Sequence, residues 1–409
     1  MSVYCGIDWA EDHHDIAVVD DTGTLLAKRR ISDDPAGLAV LLQVLAECGD
    51  SRAKPVPVAI ETARGLLVAT LRAAGRPVYA INPFSASRYR DRHTPSGRKS
   101  DHGDAMVLAN ILRTDRDAHR PLPADSELAQ AITVLARAQQ DAVWDRQQLT
   151  NRLRSLLKDY FPAALVAFHG RRSGLAEPEA RSVLTAAPSP TQAARMTRPQ
   201  LRGLLVRAGR QRYVETEVDR LREAFRTDAL HHSELIEQAM SRHALALLTQ
   251  LDAACDAVTA LTAATEEQFK RHPDAEIITS FPGLHSVSGA RLLAEIGDDP
   301  TRFTDPAALK AYAGAAPVTR ASGRSRAVLH RRVKNQRLAS VGYQWAFATL
   351  IPSTGARAHY DRRRARGDRH NAALRNLHNR LLGCLHHCLR EHQPYTEHKA
   401  FPTVVATAA

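Results

Sequence analysis

The sequence predicts an α/β domain joined to an all-α region. Two observations carry that prediction: three meandering strands followed by alternating helix and strand at the N-terminus, and helical apolar periodicity from about Pro123 onward. Its 409 residues, 44% of them hydrophobic, suffice for two or three domains with real cores and exclude a disordered chain.

Val3 to Trp9 alternates Val3, Cys5 and Ile7 against Tyr4, Gly6 and Asp8, the period of a strand, and Asp8 stands at its end. Asp15 to Asp20 reads as a second strand and Thr24 to Ile31 as a third, joined through Asp21-Thr22-Gly23 in an antiparallel meander. A helix over 35–47 follows, with Pro35 in its first turn and Leu38, Leu41, Leu42 and Leu45 on one face. Val56 to Glu61 is a strand ending in a carboxylate, 62–74 a helix closed by Gly75, and Val78 to Asn82 the next strand. Asp101 and Asp104, three apart at the start of an apolar helix, project from one face of its first turn.

Functional crevices of open α/β sheets lie at the carboxyl ends of strands, where Asp8 and Glu61 fall. With Asp101 and Asp104 beside them they would form a four-carboxylate set, which cannot stay fully ionised without a counter-charge. Hard divalent cations suit such oxygen donors, and a pair of them suits phosphoryl transfer. The plainer alternative is that these are ordinary loop and helix-start acids.

Lys and Arg number 56 against 44 Asp and Glu, giving a net charge of +12 that favours a polyanionic partner, most simply nucleic acid. Five scattered cysteines without a Cys-x-x-Cys fit reduced thiols, and no secretory leader or apolar run of 18 residues is evident, so the expectation is a cytoplasmic protein with no membrane partner.

Leu128, Ile132, Leu135, Gln139, Ala142, Arg146, Leu149, Leu153, Leu156 and Tyr160 follow four-three spacing, a coiled-coil seam or one face of a long packed helix. Leu247, Leu251, Ala254, Val258 and Leu261 form a second seam that could pair with it antiparallel. Between them, 168–199 is rich in Pro, Ser, Gly and Arg and reads as a flexible insert, while 195–226 is basic enough to line a nucleic-acid groove or form a solvated face. The expected divisions are 1–122, 123–272, 273–352 and a basic helical tail, 353–409.

Gly6-Ile7-Asp8, Ile60-Glu61-Thr62 and Lys99-Ser100-Asp101-x-x-Asp104-Ala105 resemble the N-terminal motifs of the IS110-family transposases. The resemblance implies a RuvC-like, RNase H type fold whose catalytic, metal-binding set is Asp8, Glu61, Asp101 and Asp104, with Mg²⁺ as cofactor and Mn²⁺ able to substitute. Phe281-Pro282-Gly283-Leu284 before Gly289-Ala290 looks like a helix-hairpin-helix turn whose Gly283 approaches a phosphate, although His285 replaces a second glycine. The stretch from Ala294 through Ser322-Gly323 to Leu338 is similar to that family's C-terminal transposase domain, in which the serine of Ser-Gly is the nucleophile. Ser322 holds that position and is expected to form a serine-phosphate intermediate during DNA cutting and rejoining. Membership further implies a structured noncoding guide RNA and assembly into dimers or tetramers.

Arg320, Arg324, Arg326, Arg331, Arg332, Lys334 and Arg337, with Arg362, Arg363 and Arg364 farther on, are candidate nucleic-acid contacts. Two readings compete with the serine recombinase. One is a RuvC-like Holliday-junction nuclease using metal-activated water, with Ser322 structural; the other is a catalytically inactive nucleic-acid-binding protein. Cys384, Cys388 and His392 share a helical face, but their end-to-end spread favours packed thiols over zinc.

Overall fold

The structure, a computed structural model, describes residues 2–93, 101–171, 173–323 and 325–402. The chain divides into two compact units, Met1–Ala124 and Asp125–Ala409.

The first unit is a five-stranded sheet of order β3-β2-β1-β4-β5, built from β1 (Val3–Trp9), β2 (His13–Asp20), β3 (Leu25–Ser32), β4 (Val58–Ile60) and β5 (Val78–Ala80). β1, β2 and β3 are antiparallel neighbours, whereas β4 runs parallel to β1 and β5 parallel to β4. The sheet is mixed because tight turns join the first three strands and helices join the rest. Helices α1 (Pro35–Glu47) and α2 (Leu66–Ala73) cover one face through Leu41, Leu45, Leu67 and Leu71 against Cys5, Ile7, Val58 and Ile60. Helices α3 (Pro83–His93) and α4 (Asp101–Asp115) cover the other through Ala86, Leu108, Ile111 and Leu112 against Ala59, Tyr79 and Ile81. β3 is the exposed edge, and Lys28, Arg29 and Arg30 along it discourage pairing with another sheet. This is a RuvC-like arrangement.

The second unit is mostly helical. α5 (Glu127–Tyr160) runs to a lobe of α6 (Pro162–Ala167), α7 (Pro178–Ala186), α8 (Pro190–Arg195), α9 (Arg198–Arg207) and α10 (Val214–Arg226), and α11 (Glu234–Lys270) returns along α5. The two long helices are antiparallel: Gln139 donates to Thr262 Oγ1 at 3.0 Å, and Leu153 shares a core with Leu247, Leu248 and Leu251. Ala142, Arg146 and Leu149, in the middle of the expected seam, are only partly buried. Among the described residues, α11 is the one helix long and apolar enough to cross a membrane; Leu247, Leu248 and Leu251 on it are buried within the unit.

The expected flexible insert at 168–199 is instead folded into helices. Its prolines start them, Pro178 and Pro190 in first turns, and Ser189 and Thr197 cap α8 and α9. Leu175, Ala180, Val183, Leu184 and Ala193 are buried there. The neighbouring arginines are largely committed within the lobe: Arg198 pairs with Asp219, Arg202 with Glu215, Arg210 with Glu179, and Arg220 with Glu217.

The remaining core joins α12 (Ala275–Thr279), α13 (Ser286–Ile296) and α14 (Pro306–Tyr312) to a hairpin of β6 (Val318–Ser322) and β7 (Ser325–Leu329) and to α15 (Gln336–Thr349), α16 (Thr354–Ala365), α17 (His370–Arg390) and α18 (Glu397–Ala400). The expected basic tail is integral to this core, because Leu374, Leu377, Leu381, Leu382 and Leu385 on α17 form a buried stripe alongside Trp345. Gly283 has φ +80°, and a Cβ there would lie 2.8 Å from the Thr349 amide nitrogen, so its turn packs onto α15 instead of standing open to a phosphate. Helix α17 ends at Arg390, and His392 beyond it has φ +49°, so it does not continue the face of Cys384 and Cys388; burial pushes both thiols up in pKa.

Candidate active site

The site in the first unit begins at Gly6. A Cβ on this residue would lie 2.0 Å from Ala105 O and 2.5 Å from Ala109 N, so only glycine lets α4 rest directly on β1. Asp8 is two residues on, hence on the same face of the pleat as Gly6 and α4. Gly6 pairs with Ala59 and Ile7 with Ile60, so Asp8 and Glu61 are the next residues on adjacent parallel strands and share that face, about 4.8 Å apart in backbone spacing. Asp8 is half-buried and Glu61 exposed.

Asp104 lies next to the carbonyl that touches Gly6 and is 7% exposed. Its Oδ1 is 2.5 Å from Arg90 Nη2 on α3, yet neither that oxygen nor Arg90 Nε has a hydrogen-bond partner of good geometry among the described residues. Asp101 is the first residue of α4; its side chain lies outside the described residues, as do Lys99 and Ser100. Register adds an acid that strand periodicity did not single out: Asp15 on β2 pairs with Asp8 and occupies the same face. Arg30 neutralises it bidentately, Nη2 to Oδ2 at 2.7 Å and Nε to Oδ1 at 3.2 Å. Arg90 was equally unmarked in an arginine-rich stretch; only the packing of α3 on α4 reveals it.

Among the described residues no three His, Cys, Asp or Glu side chains converge closely enough to hold an ion. The donor set nevertheless fits a hard divalent cation: it consists of carboxylate oxygens, and the buried Asp104 Oδ1 has a guanidinium beside it but no good hydrogen bond.

The second unit places the other candidates differently. Ser322 ends β6, exposed and paired with Ser325 across the hairpin, and Gly323 beside it has φ +54°. Arg320 and Arg326 are exposed on the hairpin, and Arg324 lies outside the described residues. Arg332 is exposed, Arg331 and Lys334 half-buried. Arg337 is committed to packing: it stacks 5.0 Å from Trp144 and donates to Asp141 Oδ1 at 2.7 Å. On α16, Arg363 pairs with Asp368 at 2.6 Å, Arg364 donates to the Asp368 carbonyl, and Arg362 is exposed.

Acids on adjacent strand ends of a RuvC-like sheet, with a helix bearing two more seated on the same face, define a class of nucleic-acid-processing nuclease folds. A transposase model of the DEDD IS110 type matches residues 5–162, and a model of the transposase IS116/IS110/IS902 family matches residues 275–370. A Streptomyces coelicolor protein provisionally named the mini-circle transposase for IS117 is 60% identical over 409 residues, covering 100% of this chain and 99% of its own. The insertion element IS900 uncharacterized 42 kDa protein of Mycobacterium paratuberculosis is 30% identical, covering 99% of both chains, and the insertion element IS116 uncharacterized 44.8 kDa protein of Streptomyces clavuligerus is 30% identical over 99% and 98%. The chain belongs to the IS110/IS116/IS902 family of transposases, enzymes that act on DNA, with a nuclease domain of the divalent-metal-using kind.

These findings correct the expected serine-phosphate chemistry. The DEDD match and the RuvC-like fold point to metal-dependent nuclease action, and Ser322 stands on an exposed hairpin where the described residues supply no general base hydrogen-bonded to it.

Proposed function

We propose that the first unit is a RuvC-like nuclease that hydrolyses DNA phosphodiesters, Holliday-type junctions among them, with water as nucleophile. Asp8, Glu61, Asp101 and Asp104 are its catalytic carboxylates and would hold Mg²⁺, or Mn²⁺ in its place. The observation that carries this reading is the seating of α4 on Gly6, which sets Asp104 beside the strand face shared by Asp8 and Glu61. Bound divalent ions would acidify a water and neutralise charge on the scissile phosphate.

The chain's own groups do the positioning. Two hydrogen-bonded strands fix Asp8 and Glu61, and close helix packing fixes Asp104. Arg90 offsets the charge of Asp104, and Arg30 keeps Asp15 from adding repulsion.

The exposed Arg320, Arg326, Arg332 and Arg362 are assigned to the nucleic-acid backbone, supported by the net charge of +12. A structured noncoding RNA as second partner, a homo-oligomer and a cytoplasmic location complete the proposal, the RNA and the oligomer on the strength of family resemblance and the location on the reduced-thiol composition.

Asp104→Asn tests it: cleavage should fall by about two orders of magnitude or more while DNA binding persists. Cleavage by the wild type in ¹⁸O-water should place the label on the new phosphate terminus. Full activity of the variant, or an unlabelled terminus, overturns the reading.

A further inference from the structure

In the second unit, the end of α14, the segment 330–336, α15 and α17 line a half-open cavity of about 330 Å³ whose polar lining includes Lys334, Gln336, Tyr343, Asn371, Arg375 and His378. Among the described residues no carboxylate lines it. In a chain with 44 acidic residues, a cavity that gathers a lysine and an arginine without a counter-acid is built for an anion.

His378 is 4% exposed, and its Nε2 has no hydrogen-bond partner among the described residues. Its ring is locked: a Cβ on Gly342 would lie 2.0 Å from it, and Trp345 meets it edge-on at 6.1 Å between centroids. A buried ring nitrogen left unpaired carries a desolvation cost, which a ligand that accepts its hydrogen bond would recover. Burial holds the imidazole at a pKa of about 4, so at neutral pH it is an uncharged ring able to present Nε2–H.

At the mouth, the Lys334 stem crosses Gly314, where a Cβ would lie 2.2 Å from its Cδ, and its ammonium is 3.2 Å from His330 Nε2. Burial, with Arg375, Lys334 and Arg332 nearby, depresses the His330 pKa, so this ring accepts from Lys334 and adds no charge of its own. Gln336, the first residue of the 14-residue α15, also lines the cavity. Tyr343 is 44% exposed with its hydroxyl 3.4 Å from Asn371 Oδ1, and it lines the same cavity as Lys334 and Arg375.

We propose that this cavity binds a phosphate ester: Arg375 and Lys334 pair with its non-bridging oxygens, His378 Nε2–H donates from the floor, and Tyr343 packs on the adjoining sugar or base. A nucleic-acid strand and a free nucleotide carry the same chemistry. The proposal rests on the nuclease reading only for the strand as natural carrier; the anion site itself requires no cleavage.

The test uses the full chain with ring-¹⁵N histidine, titrated with inorganic phosphate, then with a nucleoside monophosphate and a phosphodiester dinucleotide. One histidine Nε2 resonance, absent in His378→Phe, should shift saturably. Arg375→Gln and Lys334→Gln should each weaken binding roughly tenfold, the loss of one charge-assisted hydrogen bond, while Arg52→Gln in the other unit changes nothing. A response to the dinucleotide identifies a strand and a response to the monophosphate alone a free nucleotide, and both support the site. A His378 resonance unmoved by all three ligands, or wild-type affinity in both glutamine variants with melting intact, overturns it. Because Asp104→Asn should keep this binding while losing cleavage, either reading can fail without the other.

Discussion

His378 can carry charge only at a cost, since burial lowers its pKa from an ordinary 6.5 to about 4. The folded protein therefore binds fewer protons than the unfolded chain between those values. Its contribution is fully present above pH 6.5 and is lost as pH falls to 4, about 3 kcal/mol in all. Urea unfolding from pH 7 down to 4 should show the wild type losing up to that much more than His378→Phe; parallel losses would refute the assignment. Glu295 illustrates the opposite economy. Only 2% exposed, it accepts from Arg137 Nε and Nη2 at 2.8 Å each and from Asn335 Nδ2 at 2.6 Å, joining α5, α13 and the cap of α15. Its carboxylate raises the Arg137 pKa, and Glu295→Ala should destabilise the fold by about 3 kcal/mol in urea titrations because it strands the guanidinium.

At the scale of elements, the contact of α4 with β1 decides whether the acids share a space. Gly6→Ala places a methyl group 2.0 Å from Ala105 O, a backbone atom that cannot move without shifting the helix. The variant should fold less stably by about 2 kcal/mol or more and cut DNA poorly while Asp8, Glu61, Asp101 and Asp104 are all intact; wild-type cleavage would show that the seating of α4 is dispensable. This geometry was half legible. Strand alternation located Asp8 and Glu61 at strand ends, and the apolar run after Asp101 located α4, because both signals are local. The opposition of Asp15 to Asp8 was not legible, since register emerges only when β1 and β2 pair. The folding of 168–199 is not legible for a related reason: Pro178 and Pro190 mark helix starts as readily as loops, and only the burial of Leu175, Val183 and Leu184 decides between them. Likewise α16 and α17 looked like a basic tail because their arginines are conspicuous, although the leucine stripe of α17 governs where they pack.

Across the whole molecule, the carboxylate set and the proposed phosphate site fall in different units. The acids belong to the unit that ends at Ala124, while Ser322, the exposed hairpin arginines and the His378 cavity belong to the unit that begins at Asp125. A ligand that binds only the native state stabilises the unit holding its site by RT ln(1 + [L]/Kd), about 2.7 kcal/mol at a hundredfold excess over Kd. Ligand-specific protection from hydrogen exchange should therefore map by unit. Mg²⁺ should slow exchange in peptides from the N-terminal unit, in β1, β4 and α4 above all, and should leave α15 and α17 unchanged. Inorganic phosphate should do the reverse. Asp104→Asn removes a charged oxygen donor from the first site alone, so it should abolish the Mg²⁺ effect and preserve the phosphate effect. Arg375→Gln should produce the complementary pattern. Mg²⁺ protection that persists in Asp104→Asn, or that appears mainly in α15 and α17, would move the divalent-ion site away from the carboxylates of the sheet.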